Sequence, residues 1–182
     1  MDSWPRGRAR DGGVDEIALP AAVPGRLWLA GKHAVGPDPE RVLGDTGAGA
    51  IVCLNQRHEL IGRYPEYVSW LDAECDGRAL WFPIPDLDAP PVAEALGLVL
   101  ELRERLCAGG ALVVHCGAGI GRAGTMAACV LVALGVAEDE ALAQVAAQRP
   151  MAGPQAGGQR ALVSEISARL WPQRPERERH SS

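Results

Sequence analysis

The chain has 182 residues, of which 47% are hydrophobic, and it carries a net charge of −5 at pH 7. This length supports one domain with a proper hydrophobic core and excludes two such domains. The negative charge argues against a surface for nucleic acid or for anionic lipid, so we expect neither nucleic acid nor a membrane as a partner.

The first thirteen residues are polar, and no apolar run approaches the roughly 20 residues that cross a membrane. Five cysteines are scattered along the chain, with no Cys-x-x-Cys pair and no histidine at the spacing of a metal site. These features are typical of reduced thiols in a cytosolic protein. We therefore expect a cytoplasmic protein that needs no metal and no cofactor; the sequence does not indicate its oligomeric state.

Residues 1–22 are rich in Arg, Gly, Pro and Asp, which predicts a flexible N-terminal tail. Hydrophobic periodicity and glycine or proline boundaries then predict alternating strands and helices. In chain order these are a strand at 27–29, a helix at 39–43, a strand at 50–54, a helix at 64–75, a strand at 79–82, a helix at 92–106, a strand at 111–114, and helices at 122–134, 138–148 and 158–170.

Alternation of this kind predicts an α/β fold with a mainly parallel central sheet and helices on both faces. We assign the folded domain to residues 23–170. Residues 171–182 are charged and contain proline, so we predict a flexible C-terminal tail.

The end of the last predicted strand carries the most informative motif. It places a cysteine after a buried strand, an arginine six positions later and three glycines between them: His115-Cys116-Gly117-Ala118-Gly119-Ile120-Gly121-Arg122. A helix follows, so the backbone N–H groups from about 117 to 122 can converge on one anion at its N-terminus. The residues predicted to bind phosphate are Gly117, Ala118, Gly119, Ile120, Gly121 and Arg122.

Cys116 at the base of this loop faces N–H dipoles and a guanidinium, both of which favour a thiolate nucleophile. Arg122 can bind two phosphate oxygens at once and stabilise the charge that spreads over them during phosphoryl transfer. His115 faces away from the substrate in this geometry, so we expect it to support the loop and the thiolate. Cys53 also ends a strand; it is either an inert buried thiol or the partner of Cys116 in a protective disulfide.

These residues resemble the His-Cys-x5-Arg signature of cysteine-dependent protein tyrosine and dual-specificity phosphatases. The dual-specificity form, Cys-x-Ala-Gly-x-Gly-Arg-x-Gly-Thr, is matched from Cys116 to Thr125. Weaker similarity spreads over residues 24–166, including 24–31, 53–60 and 148–159, and is closest to bacterial members. The resemblance implies a metal-independent phosphatase that acts on a phosphoprotein or phosphopeptide through a cysteinyl-phosphate. Phosphotyrosine is the expected substrate, with phosphoserine and phosphothreonine left open.

The family also needs a general acid on a separate loop, about thirty residues before the cysteine. The proline-rich stretch 82–90 lies there, and its Ile-Pro-Asp wording matches the family at Asp86. The resemblance gives Asp86 the role of acid in the first step and of base in the second. Asp88 is the rival, and its other interpretation is the N-cap of the helix that starts near Pro91.

One position departs from the family pattern, because Ala123 stands where Ser or Thr usually follows the arginine. That hydroxyl helps the thiolate to leave when the cysteinyl-phosphate is hydrolysed, and Thr125 points the wrong way along the helix to replace it. Losing such a hydrogen bond costs ~1.5–3 kcal/mol, which predicts a second step slower by one to two decades.

Two rival functions remain open. Ala123 gives some weight to a phosphate-binding pseudophosphatase with little turnover. A rhodanese-type sulfurtransferase also holds a cysteine in an anion-binding loop, but it requires neither the arginine spacing nor the acid loop. Among the flanking residues, His58-Glu59 shapes the pocket rim, caps a helix or lies on the surface. Gln155 and Gln159 either position the hydrolytic water or lie on the surface.

Overall fold

The computed structural model describes residues 12–75 and 77–172. Within this part of the chain the strands are β1 (Val14–Ile17), β2 (Arg26–Gly31), β3 (Ala50–Cys53), β4 (Ala79–Trp81) and β5 (Ala111–Cys116). They form one sheet in the spatial order β1-β2-β5-β3-β4. β1 runs antiparallel to β2, and all other neighbours are parallel, so the prediction of a mainly parallel sheet is confirmed.

Helices cover both faces of this sheet, as predicted. In chain order they are α1 (Lys32–Val35), α2 (Pro39–Thr46), α3 (Arg57–Ile61), α4 (Pro65–Ala73), α5 (Val92–Cys107), α6 (Gly121–Ala133), α7 (Glu138–Gln148) and α8 (Gly157–Leu170). The first four helices share one apolar cluster with one face of the sheet, and the last four share a second cluster with the other face.

Strand β5 lies at the centre of the sheet and supplies both clusters. Its side chains alternate between the faces, so Leu112 and Val114 join the α5–α8 cluster whereas Val113 joins the α1–α4 cluster. Every residue of α6 is buried, which explains why this helix is apolar on all sides. The strand, the loop and the helix that carry the predicted motif therefore form the core of the domain.

The prediction of a flexible tail over residues 1–22 is wrong for residues 14–17, which form β1. Ile17 is 1% exposed and enters the core, and Val14 packs on the opposite cluster. A four-residue strand with two acidic residues has little hydrophobic periodicity, and its stability comes from pairing with β2. Residues 1–11 lie outside the described residues.

The prediction of a flexible C-terminal tail concerns mostly residues outside the described part of the chain, namely 173–182. Its first residue, Trp171, is held, because its indole N–H donates to the carbonyl oxygen of Val132 at 2.9 Å. The short helices α1 and α3 were not predicted, since four or five residues are too few to give a helical period. No helix among the described residues is long and apolar enough to cross a bilayer.

Candidate active site

Four parallel strands end at the same edge of the sheet, and the predicted site residues lie at this edge. β5 ends at Cys116, directly beside Gly31 at the end of β2. The segments that follow β3 and β4 bring Glu59 and Asp86 to the same place, where both contact Arg122. The crevice at the carboxyl ends of the strands is where open parallel sheets bind ligands.

The loop between β5 and α6 turns its carbonyl groups outward. Each carbonyl oxygen of residues 117–120 accepts a hydrogen bond from outside the loop. The donors are the backbone N–H groups of Lys32, Gly124 and Gly153 and the guanidinium of Arg149, at 2.7–3.2 Å. A trans peptide group carries its N–H opposite its C=O, so the N–H groups of residues 118–121 face the inside of the loop. Four inward N–H groups form a cradle of the kind that can bind an anion.

Glycine is required at two positions around this cradle. Gly119 has φ +73°, and a Cβ built there would collide with the carbonyl oxygen of Ala30 in β2. A Cβ on Gly124, in the first turn of α6, would collide with the backbone N of Gly153. The loop therefore packs against β2 on one side and against the segment after α7 on the other, too closely for any side chain.

His115 lies next to Cys116 in sequence but on the other face of the sheet, among the residues of the α1–α4 side. Its ring is fully buried, and its Nε2 lies 2.6 Å from the Tyr67 hydroxyl. Burial lowers the pKa of His115 to about 4 and raises the pKa of Tyr67 well above its usual value. At neutral pH the imidazole is therefore neutral and the hydroxyl protonated, and the tautomer of His115 sets which of the two donates in the hydrogen bond between them. His115 thus faces away from the inside of the cradle.

Arg122 is held in place by Glu59. Its side chain is 2% exposed, and its Nη1 and Nη2 donate to the two carboxylate oxygens of Glu59 at 2.7 and 2.9 Å. Nη1 also donates to the carbonyl oxygen of Ile84 at 2.8 Å. Burial alone would raise the pKa of Glu59, but hydrogen bonds from Arg122, the Gln56 N–H and Asn55 lower it to about 2. Glu59 is therefore ionised at neutral pH and fixes a charged guanidinium beside Gly117 of the cradle.

The two acidic candidates occupy different positions. The Asp86 carboxylate lies 3.1 Å from Arg122 Nη2, at the mouth of the cradle, and is 73% exposed. Asp88 Oδ1 instead accepts from the N–H of Ala89 in its own loop. The interpretation of Asp88 as the N-cap of α5 is wrong, because Pro91 occupies that position and no side chain caps it.

The two glutamines also separate. Gln159 is 1% exposed, so its interpretation as a surface residue is wrong. Its Oε1 accepts from the Gln155 N–H at 2.8 Å and lies 3.5 Å from the Thr125 hydroxyl, while its Nε2 donates to the Asp88 carbonyl oxygen at 3.2 Å. Gln159 thus connects the acid loop to the loop after α7. Gln155 is exposed, and its side-chain amide packs against Gly121 at the end of the cradle.

The position after Arg122 has no hydroxyl near the sulfur. Ala123 is fully buried, in the same apolar cluster as Cys116. The Thr125 hydroxyl is directed to Gln159 on α8, as the helical spacing predicted. Backbone N–H groups and Arg122 are therefore the donors that the motif itself offers to the Cys116 sulfur.

Cys53 and Cys116 lie on opposite faces of the sheet. Cys53 is in register with His115 and belongs to the α1–α4 cluster, whereas Cys116 belongs to the α5–α8 cluster. Both thiols are free, and burial raises the pKa of Cys53 to about 12. This arrangement favours an inert buried thiol at Cys53. Among the described residues, no group of three or more His, Cys, Asp or Glu side chains could hold a metal ion.

Sequence reasoning left Glu59 undecided and did not assign Tyr67 or Arg149. The capping interpretation of Glu59 is confirmed, since it forms a capping box with Gln56 at the start of α3, and the same carboxylate also binds Arg122. Only the capping pattern is visible in the sequence, because Arg122 lies 63 positions away. Tyr67 falls on the apolar face of a predicted helix, where nothing distinguishes a hydrogen-bonding tyrosine from a core residue.

A family model described as "Swiss Army Knife protein, DSP-PTPase phosphatase domain" matches residues 21–165. No curated protein sequence matches the chain. The fold is similar to several solved structures. The crystal structure of Tk-PTP in the active form has 26% sequence identity and a TM-score of 0.66, over 85% of this chain and 97% of that chain.

Two further structures show the same fold at lower identity. Kinase associated phosphatase, solved with serine in place of its catalytic-site cysteine, has 21% identity and a TM-score of 0.72, over 87% of this chain and 95% of that one. Human DUSP28 has 19% identity and a TM-score of 0.62, over 86% and 95% of the two chains.

Proposed function

The chain belongs to the DSP-PTPase phosphatase domain family, and from this premise we propose that it hydrolyses phosphotyrosine in proteins through a covalent intermediate on Cys116. Membership makes it a cysteine-based phosphatase with a phosphorylated substrate. Phosphoserine and phosphothreonine are further candidate substrates. The observation that carries the proposal is the cradle, in which four inward N–H groups directly follow Cys116 in the chain and an anchored Arg122 lies beside Gly117.

In the first step the Cys116 thiolate attacks phosphorus, and the bond from phosphorus to the tyrosine oxygen breaks. The N–H groups of residues 118–121 and Arg122 bind the three non-bridging oxygens while negative charge spreads over them. The leaving oxygen takes its proton from Asp86, whose carboxyl lies at the mouth of the cradle. The products are a cysteinyl-phosphate and the dephosphorylated peptide.

In the second step a water molecule attacks the phosphorus of the cysteinyl-phosphate and gives its proton to Asp86. The sulfur–phosphorus bond breaks, which regenerates the thiolate and releases inorganic phosphate. Gln155 is the candidate for holding this water, because its amide packs against Gly121 beside the cradle. The step proceeds without a hydroxyl at position 123, so we propose that it limits turnover and that the phosphoenzyme accumulates.

Hydrolysis of a phosphotyrosine peptide in the presence of EDTA tests the proposal. Wild-type protein and the Cys107→Ser variant, which changes an exposed cysteine at the end of α5, are expected to release phosphate at equal rates. Cys116→Ser is expected to bind the peptide and release none. Equal activity of wild type and Cys116→Ser would contradict the assignment, as would activity that EDTA abolishes. Parallel assays with phosphoserine and phosphothreonine peptides define the substrate class.

A second candidate function is a phosphate-reading pseudophosphatase. The observation in its favour is the pairing of a buried Ala123 with a Thr125 hydroxyl that is engaged elsewhere. A wild-type protein that binds the phosphopeptide, forms no phosphoenzyme and releases no phosphate would establish this alternative.

We also place the protein in the cytoplasm, without nucleic acid or a membrane as a partner. The net charge of −5 and the free thiols of Cys53, Cys116 and Cys129 support this placement. Fractionation of cells followed by immunodetection tests it, and recovery in the membrane fraction would contradict it.

A further inference from the structure

Arg149 is a buried arginine directly behind the phosphate-binding loop. It follows α7 as its C-cap residue and has 0% of its surface exposed. A buried guanidinium needs a hydrogen-bond acceptor for nearly every N–H and a compensating negative charge. The partners that meet this need come from the cradle and from β1.

The guanidinium binds two consecutive carbonyl groups of the cradle. Its Nε donates to the carbonyl oxygen of Gly119 at 2.7 Å, and its Nη2 donates to that of Ala118 at 2.8 Å. The Ala118 carbonyl shares a peptide group with the Gly119 N–H, and the Gly119 carbonyl shares one with the Ile120 N–H. In a trans peptide group the N–H points away from the carbonyl. Arg149 therefore holds two of the four inward N–H groups in the direction that binds an anion.

The compensating charge comes from Asp15 in β1. Arg149 Nη1 lies 2.5 Å from Asp15 Oδ2, and it also contacts the carbonyl oxygens of Gly13 and Leu29 at 3.3 Å. Asp15 is 22% exposed, so the pair reaches from the surface to the back of the cradle. The antiparallel register of β1 and β2 places Asp15 opposite Leu29, which fixes the carboxylate beside the guanidinium.

We propose that Arg149 and Asp15 form a positioning pair that presets the phosphate-binding loop and thereby sets its affinity for phosphoryl groups. This inference rests on the proposed function for its consequence in catalysis, but its first consequence is anion binding. Arg149 is shielded from the substrate by the loop itself, so it acts through the peptide groups and not by contact. Without the pair, the carbonyls of Ala118 and Gly119 lose their donors and are free to turn toward a bound phosphate, which they repel.

The test uses Asp15→Asn, with Glu16→Gln as the matched control. Both variants remove one carboxylate from β1, but Glu16 pairs with the exposed Arg26 and does not face the cradle. Binding of inorganic phosphate is measured by titration of the backbone amide resonances of residues 117–122, in the Cys116→Ser background. Misplacement of a site by about 1 Å can lower activity by up to 100-fold. We expect phosphate to bind 10- to 100-fold more weakly to Asp15→Asn and within twofold of the parent to Glu16→Gln.

A second variant addresses the arginine itself. Arg149→Lys keeps the charge but cannot donate to both carbonyl groups, and we expect a loss of phosphate affinity at least as large as that of Asp15→Asn. Thermal unfolding is followed in parallel. If Arg149→Lys does not fold, Asp15→Asn decides the matter, because its side chain is partly exposed and the replacement is isosteric; its thermal unfolding curve must show that it is folded.

With Cys116 restored, the same variants separate this inference from the proposed function. The pair predicts that KM for a phosphotyrosine peptide rises more than kcat falls, and only for the Asp15 and Arg149 variants. A protein that binds phosphate through an Arg149-dependent cradle without hydrolysing any phosphopeptide would contradict the proposed function alone. Equal phosphate affinity in Asp15→Asn and Glu16→Gln would overturn the proposal that Arg149 and Asp15 position the loop, whatever the catalytic activity. Absence of phosphate binding to the loop without these substitutions would overturn it as well.

Discussion

The cradle between β5 and α6 and the proline-rich loop that carries Asp86, the proposed acid loop, both lie next to Arg122, but they are held in different ways. Residues 117–120 are fixed from behind by hydrogen bonds to every carbonyl oxygen. The acid loop is anchored at its base, where Ile84 donates its N–H to Leu54, while its tip is exposed at Asp86 and Leu87. The difference indicates that the peptide groups of the cradle are preorganised, whereas the Asp86 carboxyl is exposed and held by fewer contacts.

Removing the proposed acid from the exposed loop is expected to have the largest effect. Asp86→Asn should lower kcat by ~10²–10⁴-fold for a phosphotyrosine peptide, since general acid catalysis contributes about that much. The loss should be much smaller for an aryl phosphate whose leaving group needs no proton. Steady-state rates with both substrates measure this difference. Asp88→Asn is the control, and an equal or greater loss there would reverse the assignment.

Weakening the ion pair between Glu59 and Arg122 should act mainly on the binding of the phosphoryl group. Glu59→Gln removes the charge that holds Arg122 but keeps a residue that can form the capping box with Gln56. Losing a charged hydrogen bond costs about 1.5–3 kcal/mol, so we expect kcat/KM to fall by ~10- to 100-fold. Kinetics at fixed pH would check this, with Glu66→Gln on the neighbouring helix as a control. Unchanged kcat/KM would mean that Arg122 is positioned without Glu59.

Supplying the missing hydroxyl should improve the second chemical step. Ala123→Ser is expected to raise kcat by about tenfold and to reduce the accumulated phosphoenzyme, because the serine can stabilise the departing thiolate. Rapid-quench measurements of both quantities provide the check. If the serine leaves kcat and the phosphoenzyme level unchanged, dephosphorylation of Cys116 does not limit turnover.

The smallest effect at neutral pH concerns His115, the buried histidine that precedes Cys116. The pKa of His115 is about 4 in the folded protein and 6.5 in the unfolded chain, so the unfolded chain binds the proton first as pH falls. The free energy of unfolding therefore has its full value above pH 6.5. It decreases by about 3 kcal/mol as pH falls toward 4, because the unfolded chain takes up the proton that the folded protein does not. Urea unfolding of wild type and His115→Gln between pH 7 and pH 4 measures it. Parallel curves for the two proteins would show that His115 is not held neutral.

Much of this contrast was visible in the sequence. The cradle follows from a local motif, namely a cysteine, an arginine six positions later and glycines between them. Such a motif is readable in the sequence because its chemistry depends on a short spacing. The order of strands and helices follows from apolar periodicity, and it predicted the parallel sheet. Asp86 was found only through the resemblance to a family, since its loop has no pattern of its own.

What the sequence did not reveal depends on contacts between distant segments. Arg149 reaches Asp15 across 134 positions, and nothing in an Arg-Pro dipeptide after a helix distinguishes a buried arginine from a surface one. The two acidic residues of β1 break its apolar pattern, so the sequence predicts a tail there. One of them, Asp15, neutralises Arg149. Side-chain pairs of this kind appear only once the sheet register is known.

Trapping of the covalent intermediate tests the central claim most directly. A phosphotyrosine peptide labelled with ³²P is mixed with wild-type protein, quenched within milliseconds and digested, and the labelled peptide is identified. We predict a burst close to one phosphate per protein, carried on Cys116 and absent in Cys116→Ser. Turnover without labelled protein, or label on another residue, would contradict the account.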